Sequence, residues 1–354
     1  MSNPPPRTAT LADLTRFDEL IDARSPAEYA DDHVPGAINL PVLDNAERER
    51  VGTLYKQVSS FDAKKVGAAL VSRNIAQHLE RHFADKPKSY RPLVYCWRGG
   101  GRSGAMAHIL QKIGFAAAQL DGGYKAYRRQ VVADLAALPD EFSYRVVTGP
   151  TGSGKSRLLQ ALASQGAQVL DLEELAAHRG SILGSLPGQP QPTQKIFESA
   201  IWQRLQLFSR ERPVYVESES RKIGMLRVPE GLITRMRGSP CLRLEVSLSA
   251  RIALLIEEYQ HYLVAPEPII EQLAHLIPLR GRETVEKWQA LAQSGDWPGL
   301  VAALLQEHYD PAYLRSLSSN YAAREDDWQY STDDLSSESL RQLAERLLAH
   351  PQAA

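Results

Sequence analysis

The chain has only two cysteines, Cys96 and Cys241, among its 354 residues. Two cannot build a disulfide framework, and they suit a reducing cytosol. No run of ~18 apolar residues is present, so no membrane-spanning helix is expected. The first ten residues are polar and proline-rich and lack the apolar core of a signal peptide. They are expected to dangle, and the chain is expected in the cytoplasm. An excess of charge is lacking too: 41 Lys and Arg stand against 42 Asp and Glu. No global field therefore draws the chain to nucleic acid, and any such surface must be local. Repeats and low-complexity tracts are absent. At 354 residues the chain is long enough for two or three domains.

The most informative stretch is Leu93-Val94-Tyr95-Cys96-Trp97-Arg98-Gly99-Gly100-Gly101-Arg102-Ser103-Gly104. An apolar run ends on a cysteine, three glycines follow between two arginines, and Ala105 to Leu110 reads as a helix. Such a segment wraps the sulfur in backbone N–H groups and adds the positive end of the helix. Arg98 and Arg102 can contribute cationic donors. Cys96 is then the candidate nucleophile, and Trp97, Arg98, Gly99, Gly100, Gly101, Arg102 and Ser103 form a candidate anion-binding loop. An inert buried cysteine would need neither the glycines nor the arginines. The spacing Cys-x-x-Gly-x-x-Arg-Ser matches the phosphate loop of cysteine phosphatases. It also resembles the active loop of rhodanese-like persulfide carriers. The loop alone does not decide between them.

Its flanks do. Asp22-Ala-Arg24-Ser25-Pro26-Ala-Glu28-Tyr29 and His33-Val-Pro-Gly36-Ala37-Ile38-Asn39-Leu-Pro41 precede it, and Leu120-Asp121-Gly122-Gly123-Tyr124-Lys125-Ala126-Tyr127 follows. All three resemble rhodanese segments, in rhodanese order. Residues 11–138 are therefore expected to be a rhodanese-like parallel sheet covered by helices. Phe17 to Asp22 reads as a strand, and Ser25 or Asp22 can cap a helix opened by Pro26. Glu47 to Lys56 reads as a charged helical excursion near the active loop, either a solvated insertion or a substrate-facing one.

Leu138-Pro139-Asp140 marks a boundary. A strand over Phe142–Val147 runs into Gly149-Pro150-Thr151-Gly152-Ser153-Gly154-Lys155-Ser156, followed by Leu158, Leu159 and Leu162 at helical spacing. Strand, glycine loop, then helix is the context that confirms a P-loop. Gly149, Thr151, Gly152, Ser153, Gly154, Lys155 and Ser156 should hold a di- or triphosphate at a helix N-terminus. The next strand, Gln168–Asp171, places an acid at its C-terminal end, where open α/β sheets carry ligand residues. Pro213–Glu217 is a third strand, with Glu217, Glu219 and Arg221 at its end or just beyond. Many nucleotide hydrolases have Asp where this strand has Glu217, which argues against ATP hydrolysis. Asp171, Glu217, Glu219 and Arg221 are candidates for positioning substrate, and the three acids also for metal binding.

From Arg204 to Arg251 there are ten Lys or Arg against five Glu, a local excess of five positive charges. Such a segment could face an RNA backbone. Residues 141–250 are expected to form the P-loop α/β domain. Residues 251–354 show helical spacing at Ile252 to Tyr259, Ile269 to Leu276, Val285 to Leu291, Trp297 to Leu305 and Leu335 to Leu348, and are expected to pack on it as a helical region.

The order of these parts resembles one family, the bacterial tRNA 2-selenouridine synthases. The resemblance rests on Glu47 to Gln57, Tyr95 to Gly100, Gly149 to Ser156, Pro192-Thr193-Gln194-Lys195-x-Phe197-Glu198 and Glu217 to Gly224. It implies a two-step exchange at the wobble 2-thiouridine of tRNA. A geranyl group from geranyl diphosphate first alkylates the sulfur. Selenium from selenophosphate, carried as a perselenide on Cys96, then displaces the S-geranyl group. No tightly bound cofactor is implied, and magnesium is an admissible companion of the diphosphate. The rival reading is a sulfurtransferase coupled to an ATP-dependent kinase or activase domain.

Overall fold

The computed structural model describes residues 7–349 except 182, 186, 187 and 322. The chain divides into two compact units. One takes the residues up to Asp134 with Glu198–Ala200, and the other the remainder from Leu135 onward.

Five strands build the sheet of the first unit: β1 (Thr8–Ala9), β2 (Glu19–Asp22), β3 (Ala37–Asn39), β4 (Pro92–Tyr95) and β5 (Ala118–Leu120). They run parallel in the order β1-β5-β4-β2-β3. Residues 8 and 9 were expected to dangle but form the edge strand, paired with Gln119 and Leu120. Two residues of pairing leave too little sequence signal to distinguish a strand from a tail. Central β4 is buried along its whole length, which is why it reads as an unbroken apolar run. Helices Pro26–Asp31, Asn45–Gln57, Ser60–His78 and Gly101–Ile113 follow from local signals. Pro26 opens the first, and the Ser25 N–H donates to Glu28 Oε2 at 3.1 Å. Asp44 caps the second by accepting from the Glu47 N–H at 2.7 Å. Gly114, at φ 115°, ends the fourth.

The rhodanese-like signature residues prove to be structural. Asp22 and Arg24 form a buried ion pair, with Arg24 Nη2 2.6 Å from Asp22 Oδ2. Asn39 Nδ2 donates to the carbonyls of Asp22 and Arg24 at 3.0 and 2.9 Å. These bonds fix the ends of β2 and β3, beside the end of β4 from which the active loop departs.

The second unit carries β6 (Tyr144–Thr148), β7 (Gln168–Leu170), β8 (Val214–Glu217), a hairpin of β9 (Lys222–Ile223) and β10 (Leu226–Arg227), β11 (Cys241–Glu245) and β12 (Trp328–Ser331). The main sheet is parallel, ordered β12-β11-β6-β8-β7. The described residues beyond 250 form the expected helical region, and within it Trp328–Ser331 supplies an edge strand to the sheet. Leu335, Leu340, Leu343 and Leu347 share a core with Leu158, Leu159 and Leu162 of the helix after the P-loop. The helices Glu267–Leu273, Arg282–Ser294 and Trp297–Leu304 enclose a separate core around Trp288 and Leu276.

Candidate functional site

Strand β4 delivers Cys96 to the start of the loop, where it is 3% exposed. The Ser103 hydroxyl, in the first turn of Gly101–Ile113, donates to Cys96 Sγ at 3.1 Å. Gln119 on β5 donates in turn to Ser103 Oγ at 2.8 Å and to the Gly100 carbonyl at 3.0 Å. The loop lies against the Gly122–Gly123 turn: the Tyr124 N–H donates to the Cys96 carbonyl at 2.8 Å, and the Lys125 N–H to that of Trp97 at 3.0 Å. Gly123, at φ +56°, has no room for a side chain, because a Cβ would overlap the Cys96 carbonyl oxygen and lie 2.5 Å from the Gly99 N. A Cβ on Gly100 or Gly101 would meet nothing within 4 Å, so these two exposed glycines leave that side of the loop open.

The two arginines divide. Arg98 is exposed, as a donor to an incoming anion would be. Arg102, expected to join the anion cradle, instead directs both terminal nitrogens to Glu28, at 2.6 and 3.2 Å. Arg48 of the 45–57 helix reaches the same carboxylate at 3.8 Å. Burial pushes the Glu28 carboxyl up, but Arg102, the Ser25 N–H and Arg48 outweigh it and hold it below the usual carboxylate range. Glu28 thus ties the helical excursion to the base of the active loop. Trp97 is 40% exposed, its ring centroid 5.4 Å from that of Tyr124.

In the second unit, β6 runs into the P-loop, and helix Lys155–Ser164 leaves it from Gly154 at φ 80°. Lys155 Nζ donates to the Gly149 carbonyl at 2.8 Å, and the Ser156 hydroxyl to Glu173 Oε2 at 3.1 Å. Arg251 braces the loop from outside: its Nε donates to the Thr151 carbonyl at 2.8 Å while its terminal nitrogens grip Asp310 at 2.6 and 3.0 Å. A cavity of about 740 Å³ opens over the loop, lined by Gly149 and Thr151–Ser156 together with Asp171, Glu173, Glu219 and Arg179.

The carboxylates are unevenly placed. Asp171 caps the short helix after β7 and accepts from the Glu174 N–H at 2.8 Å. Glu217 is 1% exposed; its Oε1 accepts from the Glu173 N–H at 2.8 Å, while its Oε2 has no partner. Burial, then repulsion from Asp171, Glu173 and Glu219, pushes its carboxyl well above the usual range. Burial pushes Asp171 and Glu219 up as well, with Glu173 adding repulsion to both. Among the described residues, no group of three or more His, Cys, Asp and Glu side chains is placed to hold a metal ion.

Residues 8–130 match the model of the rhodanese-like domain, and residues 142–274 match that of the tRNA 2-selenouridine synthase AAA domain. The tRNA 2-selenouridine synthase of Nitrosomonas europaea is 35% identical over 77% of this chain and 71% of its own length. That of Marinobacter nauticus is 34% identical over 83% of this chain and 87% of its own. The chain belongs to the tRNA 2-selenouridine synthase family. A solved N-terminal domain of a putative ATP/GTP binding protein from Clostridium difficile is 34% identical over 35% of this chain and 98% of its own, at a TM-score of 0.32.

Within this synthase fold, the expected P-loop residues Gly149, Thr151, Gly152, Ser153, Gly154, Lys155 and Ser156 line one cavity, with Asp171 and Glu219. Two expected positioning residues do not. Glu217 is sealed beneath Glu173, and Arg221 lies on the surface, 3.1 Å from Glu230. Five of the ten basic residues in the 204–251 segment are in ion pairs. Arg210, Arg221, Arg235, Arg243 and Arg251 pair with Glu141, Glu230, Asp140, Asp327 and Asp310. Those acids, apart from Glu230, lie outside the segment, so a local charge count misses them. Sequence reading also missed Gln119, Glu173, Arg179 and Tyr259. Glu173 alone carried a signal, being two residues past the acid that ends β7. Cys241 is inert: burial pushes its thiol up to about 11. Among the described residues no helix is long and apolar enough to cross a membrane.

Proposed function

We propose that the second unit alkylates the sulfur of wobble 2-thiouridine in tRNA with a geranyl group from geranyl diphosphate, and that the first unit then replaces that sulfur with selenium from selenophosphate. The relatives named tRNA 2-selenouridine synthase support the overall conversion. The observation that carries the donor assignment is a complete P-loop whose strand-end acid, Glu217, lies out of the cavity. A phosphate chain would lie on this loop, and the acid that ends β8 does not reach it.

In the first step the thiouridine sulfur attacks C1 of the geranyl group, the C1–O bond breaks, and its electron pair leaves with the diphosphate. The ring then loses its N3 proton. Charge grows on the leaving oxygens, where Lys155 and the loop N–H groups stabilise it more in the transition state than before it. Alkylation converts a tightly held thiocarbonyl sulfur into a leaving group.

In the second step the Cys96 thiolate attacks the selenium of selenophosphate. The Se–P bond breaks with its electron pair on phosphorus, which leaves as phosphite. The terminal selenium of Cys96–S–Se⁻ adds to C2 of the base and geranylthiolate departs. One thiol then attacks the Cys96 sulfur, which frees selenouridine and leaves Cys96 in a mixed disulfide, and a second thiol restores Cys96 and leaves as a small disulfide. The Ser103 hydroxyl and the loop N–H groups steady the anionic forms of this sulfur.

The experiment is mass spectrometry of tRNA nucleosides after incubation with geranyl diphosphate and selenophosphate, each alone and together, with a thiol reductant and without ATP. Wild type should give the S-geranyl nucleoside with the first and selenouridine with both. Lys155→Ala should slow geranylation ~100- to 1,000-fold. It should still selenate tRNA that is already S-geranylated. A wild type that requires ATP for geranylation, or a Lys155→Ala variant that geranylates normally, overturns the assignment.

A further inference from the structure

One buried histidine takes no part in the two steps above. His178 is 5% exposed, and it lines the cavity of about 740 Å³ over the P-loop together with Lys155, Glu173 and Glu219. The backbone sets it there. Its N–H donates to the Glu173 carbonyl at 3.1 Å, and a β-bridge ties it to Ser185. Ala177, just before it, sits at φ 47°, the only non-glycine at positive φ among the described residues. Such strain gathers at functional sites. The Cδ2 edge of the ring packs on the turn of the β9–β10 hairpin, where a Cβ on Gly224, at φ +58°, would fall 2.9 Å from it. Gln191 braces that turn, donating to the Ile223 carbonyl at 3.0 Å and accepting from the Met225 N–H at 2.8 Å. Neither ring nitrogen has a hydrogen-bond partner among the described residues, and Nδ1 is sealed from solvent. Nε2 is left to meet a ligand in the cavity. A polar group held in place without a partner is costly, and a catalytic role is one reason to retain it.

We propose that His178 Nε2 is the base that takes the N3 proton of thiouridine during geranylation. The proposal rests on the reading that the P-loop takes the diphosphate of a prenyl donor. A thiocarbonyl sulfur is a weak nucleophile while N3 keeps its proton. Taken up during the attack rather than after it, the proton leaves its electron pair to the ring. That pair forms the N3–C2 double bond, the C2–S π pair bonds to C1 of the geranyl group, and the C1–O pair departs with the diphosphate. The imidazolium then gives its proton to water.

The other titratable groups of the cavity are less suited. Lys155 is a cation held by the Gly149 carbonyl. Burial and Glu173 push Glu219 up to about 8, so it keeps its proton at neutral pH. Glu173 accepts from the Ser156 hydroxyl, and Asp171 from the Glu174 N–H. Glu258 is held by Arg157 and Arg179 at 3.3 and 2.8 Å. His308 Nδ1 accepts from Arg280 at 3.0 Å. Burial pushes the His178 imidazole down, so it is neutral at pH 7 with a lone pair to offer.

The test is geranylation of thiouridine tRNA by the full chain, followed across pH. His178→Gln should lower kcat ~100- to 10,000-fold and leave the KM for geranyl diphosphate unchanged. Its deficit should shrink as pH rises, because thiouridine then loses its N3 proton to solvent and needs no base. Wild type should lose rate below about pH 6.5 as the imidazole takes up a proton, and the variant should lack that limb. Added imidazole should restore transfer by His178→Ala roughly tenfold or more. A deficit that is the same at every pH and that imidazole does not relieve would make His178 a structural residue and overturn the proposal. So would a wild-type kcat from His178→Gln. Should both variants fail to fold, wild type itself decides. A thiouridine methylated at N3 has no proton to give and should be alkylated ~100- to 10,000-fold more slowly than the unmodified base; equal rates overturn the proposal. Failure of the underlying reading looks different: Lys155→Ala then geranylates normally and inorganic diphosphate does not inhibit wild type, and the assignment of the base falls with it.

Discussion

Ser103 Oγ donates to Cys96 Sγ at 3.1 Å, and the two residues lie on opposite sides of the glycine run. The hydroxyl itself accepts from Gln119 Nε2 at 2.8 Å, which leaves its proton for the sulfur or for the Gly100 carbonyl at 3.4 Å. The sulfur loop is thus organised by a side-chain relay as well as by its backbone.

Two substitutions separate these contributions. Cys96→Ser should abolish selenium incorporation while leaving alkylation of thiouridine intact. Ser103→Ala should slow selenation of S-geranylated tRNA roughly 10- to 100-fold, the worth of one hydrogen bond to a charged group. Nucleoside mass spectrometry reads both, and normal selenouridine yield from Cys96→Ser would remove the cysteine from the mechanism.

The phosphorus product tests how Cys96 acts. A perselenide route releases phosphite, because the Se–P electron pair stays on phosphorus. Phosphorus NMR of a turnover mixture should therefore show phosphite in step with selenouridine. Orthophosphate in its place would mean that selenium reaches the base without passing through a perselenide.

Gly123→Ala should damage the first unit alone. A positive φ strains any residue with a Cβ by about 1–3 kcal/mol, and here the new methyl also meets the Cys96 carbonyl and the Gly99 N. Selenation should fall tenfold or more while geranylation holds. A variant with wild-type selenation would show that the loop does not depend on this close approach.

Glu217→Gln should stabilise the protein at alkaline pH. Burial and the neighbouring acids raise the folded-state affinity of Glu217 for its proton, while in the unfolded chain the group ionises near its ordinary value of about 4.3. Above that pH the folded state binds more protons than the unfolded one, so stability falls as pH rises toward the folded-state value. Below about pH 4 the contribution of this group is fully present. Gln keeps the oxygen that accepts from the Glu173 N–H and carries no charge. Melting temperature should match wild type near pH 4 and exceed it at pH 8 by about 2–4 °C for each kcal/mol of relieved repulsion. Parallel curves for the two proteins across that range would show that Glu217 is not protonated in the folded state.

The sequence by itself determined the two sheets, the Cys96 loop and the P-loop. Each of these motifs is contiguous, and the local backbone alone dictates its form: glycines at positive φ, an apolar strand before them, and a helix start after them. What it could not determine was where the charges go. Arg102 meets Glu28 at a separation of 74 positions along the chain, Arg251 meets Asp310, and Arg221 turns to the surface. Such pairings depend on which strands become neighbours. The same holds for Trp328–Ser331, whose half-buried, alternating side chains form a strand because β11 offers a free edge. An apolar slot of about 90 Å³ beside the P-loop is the fullest case. Leu183, Leu255, Ile269, Leu300 and Leu304 read singly as ordinary core residues. Only the packing of three separated helices and one loop leaves space among them, at the point where the phosphate-binding backbone begins.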